Sequence, residues 1–226
     1  MKTFRAIAKA IRDNYTSHSI SAYSQEGEDM ILRRFFSDKR DGFYIDVGSY
    51  HPRRFSNSYY FYRKGWSGLT IDAAPGVKSL FDRARPRDIN IQAALSKDGR
   101  ELNFRTFNEP AFNTFIDDNV RVALAQGYYV IEEWALKTSR LAEILIENVR
   151  SEIDFMSIDV EGMDLEVLQG NDWGKFRPKI VLVETFGSDV AGVLESPTHA
   201  YMASIRYILC AKTINTAIYR AEETGR

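Results

Sequence analysis

The chain has 226 residues and a formal net charge of -1, with 44% hydrophobic and 27% charged residues. A chain of this size and composition can bury a full core, which excludes wholesale disorder, collagen and coiled coil. The balance of 30 Lys and Arg against 31 Asp and Glu argues against nucleic acid as a partner, and a single cysteine, Cys210, excludes a disulfide framework or a multi-cysteine zinc site.

Residues 1–22 read as an N-terminal helix or extension: Phe4, Ile7, Ala8 and Ile11 share one helical face, ringed by Lys2, Arg5, Lys9 and Arg12. Packing on the domain is the first expectation for it, with peripheral docking on a membrane as the second. It has no apolar secretory core, and no stretch approaches the ~18 apolar residues of a membrane span, so a cytoplasmic chain is expected. Residues 23–226 then read as a single domain. A helix is predicted from Tyr23 to Phe36, with Ser24 as its N-cap and acids in its first turn. A buried strand, Phe43 to Gly48, precedes a helical stretch from Ser56 to Lys64. A second strand, Gly68 to Asp72, leads through Pro75-Gly76 into a helix from Val77 to Ala84. Asp88 to Leu95 is a third strand, and Lys97-Asp98-Gly99 turns into Glu101 to Thr106 as an edge hairpin. Phe107 to Trp134 shows no clear periodicity. A helix from Ser139 to Val149, a strand from Ile153 to Val160, a helix from Leu165 to Gly170 and a strand from Lys179 to Glu184 follow. Arg206 to Cys210 and Thr216 to Arg220 form a terminal strand pair, with Cys210 expected in the core.

This alternation predicts an α/β fold with a mostly parallel sheet, helices on both faces and an antiparallel C-terminal pair. Ligands of such sheets bind at the carboxyl ends of the strands, where this chain carries Asp46, Asp72, Asp159 with Glu161, and Glu184. A strand ending in Asp46-Val47-Gly48, followed by one ending in Asp72, suits a nucleoside: the glycine admits close backbone approach, and the second acid accepts ribose hydroxyls. Ala73 and Ala74 suit the side of a flat base. The second and third glycines of the dinucleotide fingerprint are missing, which argues against a nicotinamide oxidoreductase and favours S-adenosylmethionine (SAM).

The stretches YSQEGEDMIL (Tyr23 to Leu32), GFYIDVGSYHP (from Gly42), RPRDINIQAALS (Arg85 to Ser96), NTF (Asn113 to Phe115) and IDFMSIDVEGMDLEVL (from Ile153) resemble the FkbM family of SAM-dependent methyltransferases. The resemblance runs from about Tyr23 to Glu184, more weakly through Ile214 to Arg220. It implies a Rossmann-like class I methyltransferase domain and mostly hydroxyl acceptors on sugars, glycolipids or secondary metabolites. On this sequence it implies cofactor contacts from Asp46, Gly48, Ser49, Asp72 and Ala73, with Gln25 and Glu28 closing over the cofactor. It further implies contacts from Asn57 and Ser58 to the carboxylate, from Ser96 near the adenine, and from Asp159. Ser49-Tyr50-His51-Pro52 departs from the family's usual loop.

Transfer to a hydroxyl needs alignment and a group that takes the proton. Asp159, Glu161, Glu184 and His51 are the catalytic candidates, Asp159 with Glu161 first. The three acids are also candidate ligands of a divalent cation such as Mg²⁺ that would acidify a sugar diol. The clusters Arg53, Arg54, Arg63, Lys64 and Arg83, Arg85, Arg87 are either solvated faces or holders of a substrate phosphate. The expected activity is O-methylation of a carbohydrate or glycoconjugate. A small natural product or protein acceptor, or a non-catalytic SAM-binding partner, are the alternatives. The oligomeric state is left open; for a homodimer the candidate contact surfaces are Tyr128 to Ile131, the N-terminal helix and an exposed strand edge.

Overall fold

Alternate residues of each central strand face opposite sides of one sheet, and both sides are covered. In the computed structural model, which describes residues 7, 20–185 and 189–224, the first elements are α1 (Glu28–Phe35), β1 (Phe43–Val47), α2 (Tyr59–Arg63), β2 (Ser67–Asp72), α3 (Val77–Ala84) and β3 (Ile89–Gln92). Next come β4 (Glu101–Phe107), a 3-10 turn at Pro110–Phe112, α4 (Asp117–Ala125), β5 (Val130–Lys137), α5 (Leu141–Asn148) and β6 (Phe155–Ile158). The chain continues with α6 (Asp164–Gln169), β7 (Ile180–Glu184), α7 (Val190–Glu195), α8 (Pro197–Ser204), β8 (Tyr207–Lys212) and β9 (Thr216–Ala221).

The main sheet has the order β3-β2-β1-β6-β7-β9-β8. Its first five strands are parallel, β9 runs antiparallel to β7, and β8 antiparallel to β9. This is the expected Rossmann-like methyltransferase architecture. Ile45, Val47, Met156, Ile158, Val181 and Val183 point to a core closed by α5, α6, α7 and α8. Tyr44, Phe155, Ile180 and Leu182 of the same strands point to a second core under α1 and α2. Burial on both faces is why these strands read as unbroken apolar runs.

Several expectations are corrected. Helix α1 starts after Gly27 in the left-handed region, not at Ser24; Ser24 Oγ still accepts from the Asp29 N–H at 3.2 Å. Glu101–Phe107 is not an edge hairpin of the main sheet. It pairs with β5, thirty residues on, as a separate two-stranded ribbon, because a bridge from Leu95 to Ser139 closes the intervening segment off from the sheet. Cys210 is exposed: Leu209 pairs with Tyr219 and Ala211 with Ile218, so Cys210 is the extra residue of a bulge on the outer strand. The N-terminal helix, apart from Ile7, and His18 lie outside the described residues. Among the described residues no helix is long and apolar enough to cross a membrane.

Arg85 is neither a solvated residue nor a phosphate holder. It is fully buried, donating to Asp88 at 2.7 Å, to the Tyr44 hydroxyl at 2.7 Å and to Ser58 Oγ at 2.9 Å. Ser58 in turn donates to Asp46. Burial raises the pKa of Asp46 and of Asp88, and the Arg85 guanidinium opposes both shifts. One buried cation thus compensates two buried acids behind β1. Arg85→Leu leaves both acids uncompensated, and urea unfolding should show a loss of about 3–5 kcal/mol. A loss below about 1 kcal/mol would mean that the network does not anchor β1.

Candidate active site

A cavity of about 1130 Å³ opens at the carboxyl ends of β1, β2, β6 and β7. Its floor exists because β1 and β6 end almost in contact. Gly48 has φ +75°, and a Cβ placed there would stand 1.7 Å from the Asp159 carbonyl oxygen, so only glycine fits. The Gly48 N–H donates to the Ile71 carbonyl at 2.9 Å, which holds the turn against β2.

Asp72 ends β2, and its two oxygens accept from the Tyr50 N–H and the Ala74 N–H, each at 2.8 Å. These bonds fix the carboxylate at the cavity wall beside Ala73 and Ala74. Asn57 Nδ2 donates to Ser157 Oγ at 2.9 Å, tying the loop after β1 to β6. Glu28 is buried, and its Oε1 accepts from Thr213 Oγ1 at 3.0 Å and Thr216 Oγ1 at 3.3 Å. Glu26 accepts from the Asn215 N–H at 2.8 Å and from Asn215 Nδ2 at 2.7 Å. The acids around the start of α1, Glu26 and Glu28, therefore clamp the β8–β9 turn, a contact across some 190 residues that no local pattern reveals.

The cavity brings together Gln25, Glu28, Gly48, Asn57, Asp72, Ala73, Asp159, Glu161, Glu184 and His51. It does not bring Asp46, Ser49, Ser58 or Ser96 to its wall. Asp46 and Ser58 belong to the Arg85 network behind β1. Ser49 is buried, with its hydroxyl lacking a partner. Ser96 is turned into a buried cluster, where its hydroxyl meets Thr138 Oγ1 at 2.7 Å and accepts from the Gly99 N–H. That turn chemistry removes it from the expected adenine edge.

His51 lines the cavity. Its Nδ1 accepts from the Arg53 and Arg54 N–H groups at 3.1 and 3.0 Å, so the proton of the neutral ring sits on Nε2. Burial, with Arg54 and Arg53 close by, holds its pKa below the ordinary value. The free nitrogen of this ring donates; it does not accept.

The carboxyl groups of Asp159, Glu161 and Glu184 each offer an oxygen within 4.8 Å of the others. Burial raises Glu161 to about 8, helped by the charges of Asp159 and Asp164. Loss of water raises both Asp159 and Glu184, with neighbouring acids adding to it, although Asp159 keeps an exposed surface on the cavity. Asp164, which the sequence reading passed over, lines the same wall and is raised by burial to about 7. Its carboxyl group accepts from the Val160 and Gly162 N–H groups, each at 3.2 Å, and shapes the loop. Glu161 sits at φ 53°, followed by Gly162 at φ 95°. A left-handed glutamate costs about 1–3 kcal/mol and needs external support. Asn119 Nδ2 supplies it, donating to the Glu161 carbonyl at 2.8 Å, with Thr114 Oγ1 at 3.5 Å. Thr114 is the centre of the NTF stretch, whose place in the chain had no periodicity to explain it.

The sequence profile described as the methyltransferase FkbM domain matches residues 46–209, more than half of the chain. The chain belongs to the FkbM methyltransferase family. Its family and fold are those of a SAM-dependent methyltransferase. Among solved structures it is similar to a TehB-like SAM-dependent methyltransferase from Corynebacterium glutamicum, at 9% identity over 97% of each chain with a TM-score of 0.45. An O-methyltransferase from Bacillus cereus, in complex with SAH, gives 12% identity over 97% of this chain and 90% of that one, with a TM-score of 0.39. Comparison with curated protein sequences finds no match.

The acid cluster gives this FkbM methyltransferase a defined pH response. Glu161 keeps its proton when folded up to about 8 but loses it near 4.5 when unfolded. Folded and unfolded chains therefore differ in bound protons across that window, and the contribution of Glu161 to stability is complete below 4.5 and lost as pH rises to about 8. Glu161→Gln should leave the unfolding free energy unchanged at pH 4 and raise it at pH 9 by more than about 1.4 kcal/mol. An equal change at both pH values would count against the shift.

Proposed function

We propose that this chain transfers the methyl group of SAM to a hydroxyl of a carbohydrate or glycoconjugate. The observation that carries this reading is the acid pair at the ends of β6 and β7, opening into the same cavity as Asp72 and Gly48. The residues present suit SAM: an acid fixed by two backbone N–H groups for the ribose, small apolar residues for the base, and unneutralised carboxyl groups for a cation. SAM supplies a methyl group on a sulfonium that leaves readily, so the protein's task is alignment and proton acceptance.

In this reading Asp72 accepts the ribose hydroxyls, and Ala73 with Ala74 flanks the base. Gly48 admits the cofactor to the backbone, Asn57 offers its amide oxygen, and Gln25 and Glu28 close the site by way of the β8–β9 turn. Asp46 and Ser58 support the first turn from behind, and the unpartnered Ser49 hydroxyl lies beside it. Asp159 is the proton acceptor, since it is the most exposed of the three acids and is raised only to about 6, so it ionises before Glu161 and Glu184. A hydroxyl acceptor suits a carboxylate at the strand ends that can take its proton. A second reading has its own observation: three carboxylates within 4.8 Å also suit one Mg²⁺, which would ionise them and acidify a diol.

Calorimetric titration with S-adenosylhomocysteine should show binding that Asp72→Ala weakens by at least about tenfold, or 1.4 kcal/mol. Asp159→Asn should keep that binding and lower methyl transfer by about 10²–10⁴-fold. Transfer that survives Asp159→Asn would remove it as the base, and binding without transfer in the unaltered chain would favour a non-catalytic partner. An increase in transfer on adding Mg²⁺, abolished by Glu161→Gln, would select the cation reading. No binding with or without Mg²⁺ would overturn the proposal.

A further inference from the structure

The outer wall of the cavity is the β4–β5 ribbon together with the turn and helix that join its strands. That wall is aromatic. Phe104 and Trp134 are cross-strand partners with ring centroids 5.4 Å apart, and Phe115 lies 4.6 Å from Phe104. Phe104 is buried and supports the others, whereas Trp134 is half-buried and keeps accessible surface on the cavity. Nothing in the binding of a nucleoside at Asp72 calls for this second, aromatic wall.

The same cavity is one-sided in charge. Eight acidic residues line it, Glu132 of β5 among them, and among the described residues no Lys or Arg does. The cations suggested by sequence are engaged elsewhere or exposed: Arg85 is closed into the core, Arg87 donates to the Tyr62 carbonyl and stacks over its ring, and Arg53 and Arg54 are exposed. The start of α6 carries acids, Asp164 and Glu166, in its first turn, which opposes an anion there. Burial keeps protons on some of these acids, which makes the wall less negative without making any of it positive. A phosphate or carboxylate brought here would lose water and gain no counter-ion. An ammonium group would gain from the carboxylates and from the face of an indole.

We propose that the β4–β5 ribbon is the acceptor subsite, and that it takes a hydroxylated ring, neutral or amino-bearing and free of phosphate and carboxylate, stacked on Trp134. This rests on the methyltransferase reading above and narrows it: nucleotide sugars and sugar phosphates are excluded as acceptors.

Trp66 and Trp173 are buried, so collisional quenching of the intact protein reports mainly on Trp134. Emission is quenched with caesium, iodide and acrylamide, each normalised to free N-acetyltryptophanamide. Caesium should quench at least about fivefold more efficiently than iodide, as a negative cleft concentrates cations. Trp134→Phe should abolish the quenchable fraction, and Glu132→Gln should reduce the asymmetry. Iodide quenching equal to or above that of caesium would overturn the charge argument. In the presence of S-adenosylhomocysteine, methyl glucosaminide should shift the Trp134 emission, and glucose 6-phosphate at the same concentration should not. A response to the phosphate alone, or to neither, would overturn the subsite. Failure of the cofactor reading shows separately, as absence of S-adenosylhomocysteine binding to the unaltered chain, and leaves the quenching asymmetry unaffected.

Discussion

The site depends on one close approach. The Asp159 carbonyl occupies the space that a Cβ of residue 48 would need, so β1 and β6 end side by side with only a glycine between them. Strands of a parallel sheet whose helices depart to opposite faces leave a crevice at this point. Here the crevice floor is sealed by the Gly48 contact and braced behind by the buried Arg85, which faces Asp88 and, through Ser58, Asp46. Two short motifs more than 100 residues apart thereby become one surface.

That surface carries a concentration of acid that a folded protein tolerates only by not ionising all of it. Desolvation raises the proton affinity of Asp159, Glu161, Asp164 and Glu184, the charge of Asp159 adds to it at the other three, and the loop after β6 includes a glutamate in a left-handed conformation. Both features oppose stability, and the strained loop is held from outside the main sheet, chiefly by Asn119. Strain and uncompensated charge at one place, supported from elsewhere, are what a binding surface for a cation looks like in physical terms. SAM carries such a charge, which is why the same geometry that destabilises the empty chain suits the proposed reaction.

What was legible in the sequence follows the range of the interactions. Strands β1, β2, β6 and β7 were readable because both faces of each are buried, and their ends carried the acids that line the cavity. Gly48 was readable because close approach requires one residue type, and Asp72 because it ends an apolar strand run. The β4–β5 ribbon was not: its strands are separated by a turn and a helix, and β5 alternates exposed and half-buried residues, which gives no apolar run to find. Arg85 looked like one of three surface arginines, since nothing local tells which guanidinium will meet a buried tyrosine and aspartate. At His51 the sequence does not show that two backbone N–H groups donate to its Nδ1, which leaves the proton of the neutral ring on Nε2. Ser96 failed for a similar reason, its hydroxyl being used up by its own turn.

The ribbon and the sheet are separable in one respect and coupled in another. The bridge from Leu95 to Ser139 pins both ends of the segment that contains β4, α4 and β5, so residues inside it can change without disturbing the strand order of the sheet. Such an arrangement lets an acceptor wall vary while the floor at Gly48 and Asp72 stays fixed. Yet Thr114 and Asn119 reach from that segment to the Glu161 carbonyl and hold the strained loop beside Asp159. Side chains that choose the acceptor and the backbone that presents the proposed base are therefore parts of one mechanical unit. A substitution that shifts α4 would be felt at Glu161 before it was felt at Asp72, whose two backbone donors lie wholly within the first half of the sheet.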